Sequence, residues 1–234
     1  MMPGFILPFR FVTIEAFNNV YLNGGDSDHG MFFRSHYLYD ELRGTLINLA
    51  EMNEARSRHA LVAIEPKQSI LAIGGENAKG ATKLCEFYEV AENKWTLGPK
   101  LNEGRCSLSA CIFKNVVYAI GGWNISYFGS IEQLDTTAAE MKWQMVKLAK
   151  KNALKPSQAV GAIALNDDEI LLFGGSQEND TFSKETYAFN VKSLALTNTR
   201  SEMVEGDVFI SSETKKFDGI VYAFGYEKGG VHNL

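Results

Sequence analysis

The stretch Gly75-Glu76-Asn77-Ala78-Lys79-Gly80 has the glycine spacing of a phosphate loop, in which backbone N–H groups cradle an anion and a following lysine reaches it. Ala81 stands where that lysine belongs, and the next residues read as a strand rather than the required helix, so a turn is expected. Asp26-Ser27-Asp28-His29-Gly30 opens like a calcium loop, yet Tyr37 occupies the twelfth place, where a bidentate carboxylate belongs. The histidines His29, His36, His59 and His232 are scattered along the chain. The cysteines Cys85, Cys106 and Cys111 lack Cys-x-x-Cys spacing and are expected to be packed, inert thiols. His-Glu-x-x-His and Gly-x-Ser-x-Gly do not occur. No catalytic residue, metal or cofactor is therefore expected, which leaves recognition by surface loops as the chemistry to look for.

Composition agrees with that direction. Of 234 residues, 45% are apolar and 22% charged, which are globular values that exclude a disordered or collagenous chain. The 23 Lys and Arg against 28 Asp and Glu leave a formal charge of −5, so a phosphate-tracking nucleic-acid surface is not expected. Three cysteines cannot build a disulfide framework, and a reducing, cytoplasmic compartment is the simpler expectation. Nothing approaches the ~18 apolar residues of a membrane span.

The elements that would carry such loops repeat. Strand-like runs end in a glycine pair four times, at Gly24-Gly25, Gly74-Gly75, Gly121-Gly122 and Gly174-Gly175, and a fifth run ends at Gly225-Tyr226. The spacings between first glycines are 50, 47, 53 and 51 residues, too regular for scattered loop glycines. Each pair follows a second strand-like run and a polar turn, as in Ser107 to Phe113 before Lys114-Asn115, which reads as a hairpin. A third strand follows, clearest in Lys83 to Val90, and a short fourth such as Trp95 to Leu97. Four antiparallel strands at this period read as one blade of a β-propeller. Ala138 to Lys151 and Asp40 to Arg56 also fit helical spacing, but the repeat register assigns both to strands.

These residues carry a resemblance. Gly74-Gly75, Tyr88, Trp95, Arg105 and Gly121-Gly122 are similar to the kelch repeat, with its glycine pair, its Tyr, a Trp seven residues later and an Arg before the next strand. The other repeats offer Tyr39 and Leu46 with Arg56, then Leu134-Asp135 and Trp143 with Pro156, then Phe189 and Leu196 with Glu205-Gly206. The resemblance implies one all-β propeller domain over residues 1–234, of about five blades or a partial arc of a longer propeller. In the fifth, Val231 to Leu234 is expected to begin the third strand, and Gly4 to Leu7 to supply the missing fourth, with Arg10 at the place of Arg105.

The resemblance also implies function: a non-catalytic scaffold or substrate-recognition module that binds a peptide or protein. The implied face consists of the residues after each glycine pair and those around the arginine. Here these are Asp26, Asp28, Glu76, Asn77, Trp123, Asn124, Tyr127, Ser176, Gln177 and Tyr226, with Arg56, Arg58, Arg105 and Ser107 from the other set. Two readings of the arginines stay open. Either they pair with acidic groups of a partner, or Arg56 and Arg105 are structural and donate to loop carbonyls between blades. A sugar- or small-molecule-processing propeller enzyme is the alternative function.

Overall fold

The computed structural model describes residues 8–149, 154–155, 157–178, 181–203, 208–209, 214–218, 220–222, 225–227 and 230–232. Gly4 to Leu7, Pro156, Glu205-Gly206 and Asn233-Leu234 lie outside the described residues. The fold is all-β, built on four-stranded antiparallel sheets, and two compact units divide after Cys106.

The first unit holds two blades. The strands of the first are Val12–Ala16, Asn19–Asn23, His36–Asp40 and Thr45–Asn48, hydrogen-bonded in chain order. Phe17 and Asn18 turn the opening hairpin with φ of 53° and 58°, the left-handed values that match the twist of a two-residue loop. The second blade runs Ala60–Ile64, Ser69–Ile73, Cys85–Glu89 and Lys94–Leu97. Every residue of Ser69–Ile73 is buried, because that strand has a neighbour on each edge and packing on each face. Ile14, Tyr21, Met52, Leu61, Ile70, Tyr88 and Trp95 fill one core between the two sheets.

The second unit repeats the plan. Its first blade is Ser109–Phe113, Val116–Ile120, Ile131–Asp135 and Gln144–Met145, and its second is Gly161–Ala164, Glu169–Phe173, Glu185–Asn190 and Ala195–Glu202. Tyr118, Ile120, Ile131, Ile170, Leu172, Phe189 and Leu196 share its core. The helical alternatives are not taken: Asp40 to Arg56 contains the strand Thr45–Asn48, and the described residues 138–149 are bends, irregular chain and the strand Gln144–Met145, with Trp143 buried beside it.

Register follows the repeat. Val20 pairs with Tyr39, Ile70 with Tyr88, Val117 with Leu134 and Ile170 with Phe189, so each second strand meets the same place of its third. The fifth repeat departs from expectation at its end. Lys215–Phe217 pairs with Ile220–Tyr222 as its hairpin, but Gly230–His232 pairs back onto Gly225–Glu227 instead of beginning a third blade strand. This return strand takes the place that a short hairpin occupies after the other glycine pairs.

Candidate functional site

Each glycine pair launches a miniature hairpin. Glu76 pairs with Ala81, Trp123 with Tyr127, and Ser176 with Phe182, while Asp26 makes a single bridge to Phe32. The first residue of the hairpin also pairs backward: Asp26 with Phe9, Glu76 with Ser57, Ser176 with Gln158. The second glycine donates its N–H to the carbonyl one residue before the next blade's bridge, Gly25 to Arg56 at 2.9 Å, Gly75 to Arg105 at 2.9 Å and Gly122 to Ser157 at 2.8 Å. Ser157, rather than Pro156, therefore holds the arginine place of its repeat.

That register separates the four expected arginine-set residues into two kinds. Arg56 has no exposed surface: its Nη1 donates to Gly74 O and Leu84 O at 2.7 Å each, and Nη2 to Glu86 Oε1 at 2.6 Å. The Glu86 carboxylate also accepts from the N–H groups of Asn53 and Glu54 and from the Asn53 side chain. Arg105 is equally buried, with Nη2 3.2 Å from Glu103 Oε2 and its carbonyl held by Gly75. Arg56 and Arg105 are thus not rim residues. The Arg56 guanidinium donates to carbonyls, as in the structural reading, and Arg105 is buried against Glu103 of its own loop.

Arg58 and Ser107 remain at the surface, half-buried, with the left-handed φ values of 51° and 48°. Arg10 and Ala159 share that position and conformation in their own repeats. The place expected for Arg10, that of Arg105, is therefore off by two residues. Arg10 and Arg58 each meet the residue after a glycine pair: Arg10 Nη1 lies 2.7 Å from Asp26 Oδ2, and Arg58 Nη1 3.3 Å from Glu76 Oε2. Arg10 was legible only as a displaced arginine, because the carboxylate that claims it lies sixteen positions on.

In the first unit these groups line a cleft of about 410 Å³ with Phe9, Asp28 and Phe32 on its walls. Asp26 is 3% exposed; its Oδ2 accepts from Arg10 and from Ser57 Oγ, whereas no described protein group donates to its Oδ1. Asn77 borders a neighbouring hollow with Met31 and Phe32, and its Nδ2 donates to Glu54 Oε1 at 3.0 Å. Phe9 and Phe32 sit in no motif, and no sequence signal marks them as part of this cleft.

In the second unit Trp123, Asn124 and Tyr127 belong to one hairpin whose apex, Ile125, is 92% exposed at φ 62°. The Phe128 N–H closes the hairpin on Gly122 O, and Phe128 O accepts from the Ser157 N–H. Ser176 is buried in its bridge, and Gln177 is half-buried opposite Thr181. Tyr226 pairs through its backbone with Val208 and Val231.

The histidines His36 and His59 and the three cysteines do not line the cleft. His36 stacks on Tyr21 at 5.6 Å and meets Tyr88 and Trp95 edge-on; burial pushes its pKa down to about 3. Burial, with Arg56 nearby, also holds His59 well below its usual value. Burial lifts the Cys111 thiol to about 12, while Cys85 and Cys106 have no exposed surface. Among the described residues no cluster of three or more His, Cys, Asp or Glu is placed to hold a metal ion, and no helix is long and apolar enough to cross a membrane.

Comparison with known proteins adds the lineage. A family model for the kelch motif matches residues 104–143. Kelch-like protein 36 of Rattus norvegicus is 33% identical over 49% of this chain and 17% of its own length, and Kelch-like protein 41a of Danio rerio is 29% identical over 45% and 17%. The tRNA wybutosine-synthesizing protein 4 of Candida albicans is 25% identical over 92% of this chain and 35% of its own. The chain thus spans about a third or less of these curated relatives. The solved structure of YjhT shares the fold, with a TM-score of 0.77 at 12% identity, covering 95% of this chain and 78% of that one. The repeated antiparallel blades, the matched motif and the Kelch-like relatives together make this chain a kelch-repeat protein with a β-propeller fold.

Proposed function

We propose that the chain is a protein-interaction module with no catalysis of its own, a single cytoplasmic propeller domain whose recognition residues ride on the hairpins after the glycine pairs. The observation that carries this reading is the contrast between seat and tip. The same glycine-to-carbonyl bond seats the hairpins after Gly25, Gly75 and Gly122, while the residue that opens them changes from Asp26 to Glu76 and Trp123. A rigid scaffold with variable tips is the arrangement that binding loops require. Trp123 and Tyr127 face each other across a strand pair beside exposed Ile125, and aromatic side chains are favoured interface anchors. The Kelch-like relatives support the same direction.

The test is affinity capture from source cells with the wild-type chain beside Trp123→Ala and Ile125→Ser, both first shown to be folded. A partner retained by wild type and lost with either variant supports the reading. Capture of no partner by the wild-type chain overturns it.

A propeller acting within an enzyme is the second reading, favoured by the similarity to the wybutosine-synthesizing protein over 92% of this chain. Thermal-shift measurements with simple sugars and other small molecules address it. Stabilisation that saturates at one site and is abolished by substitutions in the unit-one cleft supports an enzyme-like pocket.

A further inference from the structure

The cleft in the first unit has its cations already engaged and its acceptors in excess. Arg10 is hydrogen-bonded to Asp26 and Arg58 is paired with Glu76, so each guanidinium already faces a carboxylate. Asp28 is exposed and makes no ion pair among the described residues, and Asp26 Oδ1 is buried without a described protein donor. Counting Asp26, Asp28 and Glu76 against Arg10 and Arg58 leaves the lining one negative charge over. With exposed Asp28 unpaired among the described residues and one negative charge over, the lining favours a group that brings both N–H donors and positive charge.

The walls suit the same group. Phe9, 56% exposed, and Phe32 present aromatic surface beside the carboxylates, and an ammonium or guanidinium is attracted to such a face while its stem packs on it. The volume, about 410 Å³, accommodates a side chain rather than a folded element. The cleft also departs from its own repeat: where Asp26 stands, the second unit has Trp123 and Ser176, and where Arg10 stands it has Ser107 and Ala159.

We propose that this cleft is a subsite for a basic side chain, arginine or lysine, contributed by a protein partner. This rests on the interaction-module reading and reverses the expectation of an acidic partner. That expectation depended on Arg56 and Arg105, which are buried, and on Arg58, which is paired.

The test uses the short blocked peptide acetyl-Gly-Gly-Arg-Gly-Gly-amide, its lysine and glutamate counterparts, and the neutral citrulline isostere. Each is titrated into the 15N-labelled full chain and followed by backbone amide shifts. The arginine or lysine peptide is expected to move resonances of residues 26–32, 58 and 76 saturably, and the citrulline and glutamate peptides are not. Asp28→Ser, an exposed change, should weaken the response several-fold. Glu76→Gln, which removes a second charge from the lining, should weaken it as well. Comparable shifts with citrulline or glutamate, shifts spread over the whole surface, or no response to any basic peptide would overturn the proposal. A captured partner whose binding ignores Asp28→Ser and an excess of the arginine peptide overturns the subsite and leaves the module intact, whereas absence of any captured partner is the failure of the module itself.

Discussion

Arg56 and Glu86 form an ion pair of 2.6 Å with neither side chain exposed. Arg58, two residues on, pairs with Glu76 at 3.3 Å and stays a third exposed. Two arginines of one loop thus have opposite duties. Removing one member of a buried pair strands the other charge, so Arg56→Ala should cost about 3–5 kcal/mol, whereas Arg58→Ala should cost at most about 1 kcal/mol. Urea denaturation of both variants checks this, and equal losses would contradict the division of roles.

Acid should loosen the first unit through its histidines. His36 is neutral in the fold down to about pH 3 and His59 is held low as well, but both regain an ordinary value near 6.5 when the chain unfolds. As pH falls below 6.5 the unfolded state takes up protons that the folded state refuses. Stability is then lost by about 1.4 kcal/mol per pH unit for each histidine, down to about pH 3 for His36. His36→Phe, which keeps a ring beside Tyr21, Tyr88 and Trp95, should flatten the dependence of unfolding free energy on pH between about pH 6 and pH 4. An unchanged slope would show that other groups carry it.

Gly75 should not tolerate a side chain. Its φ is 99°, and a Cβ there would lie 2.7 Å from Ser57 O and 2.8 Å from the His59 Cβ, both in the segment that leads into the first strand of the same blade. Gly75→Ala is expected to lower the melting temperature by several degrees, since backbone strain and a steric clash add at one site. Gly80, also at φ 99° but with open space around it, should suffer the strain without the clash and lose less.

The thiols should be silent in the folded protein. Cys85 and Cys106 are inaccessible, and the Cys111 thiol does not ionise until about pH 12. Labelling with iodoacetamide at neutral pH should modify none of them before the chain unfolds, because the thiolate is the reactive form. Rapid labelling at Cys111 in native buffer would contradict this.

Much of the blade plan was written in residue type. Ile70 opposite Tyr88 and Ile170 opposite Phe189 follow from the period of the glycine pairs, and Trp143 lies where the register put it despite a helical pattern around it. The site was less legible. An arginine before a strand looks the same whether it points to solvent or to carbonyls, and the acceptors that claim Arg56 come from residues 18, 28 and 30 positions later. Arg10 and Phe9 were hidden for a related reason, since their contacts with Asp26 span a separation that no local spacing announces.

The bonds from Gly25 to Arg56, from Gly75 to Arg105 and from Gly122 to Ser157 use only main-chain atoms. A fastening of that kind is indifferent to which side chains stand beyond it. The segments between a glycine pair and the following third strand should therefore behave as interchangeable cassettes: moving Trp123 to Phe128 into the place of Glu76 to Thr82 should transfer a binding preference, read by partner capture, while the melting temperature of the receiving chain stays close to its own.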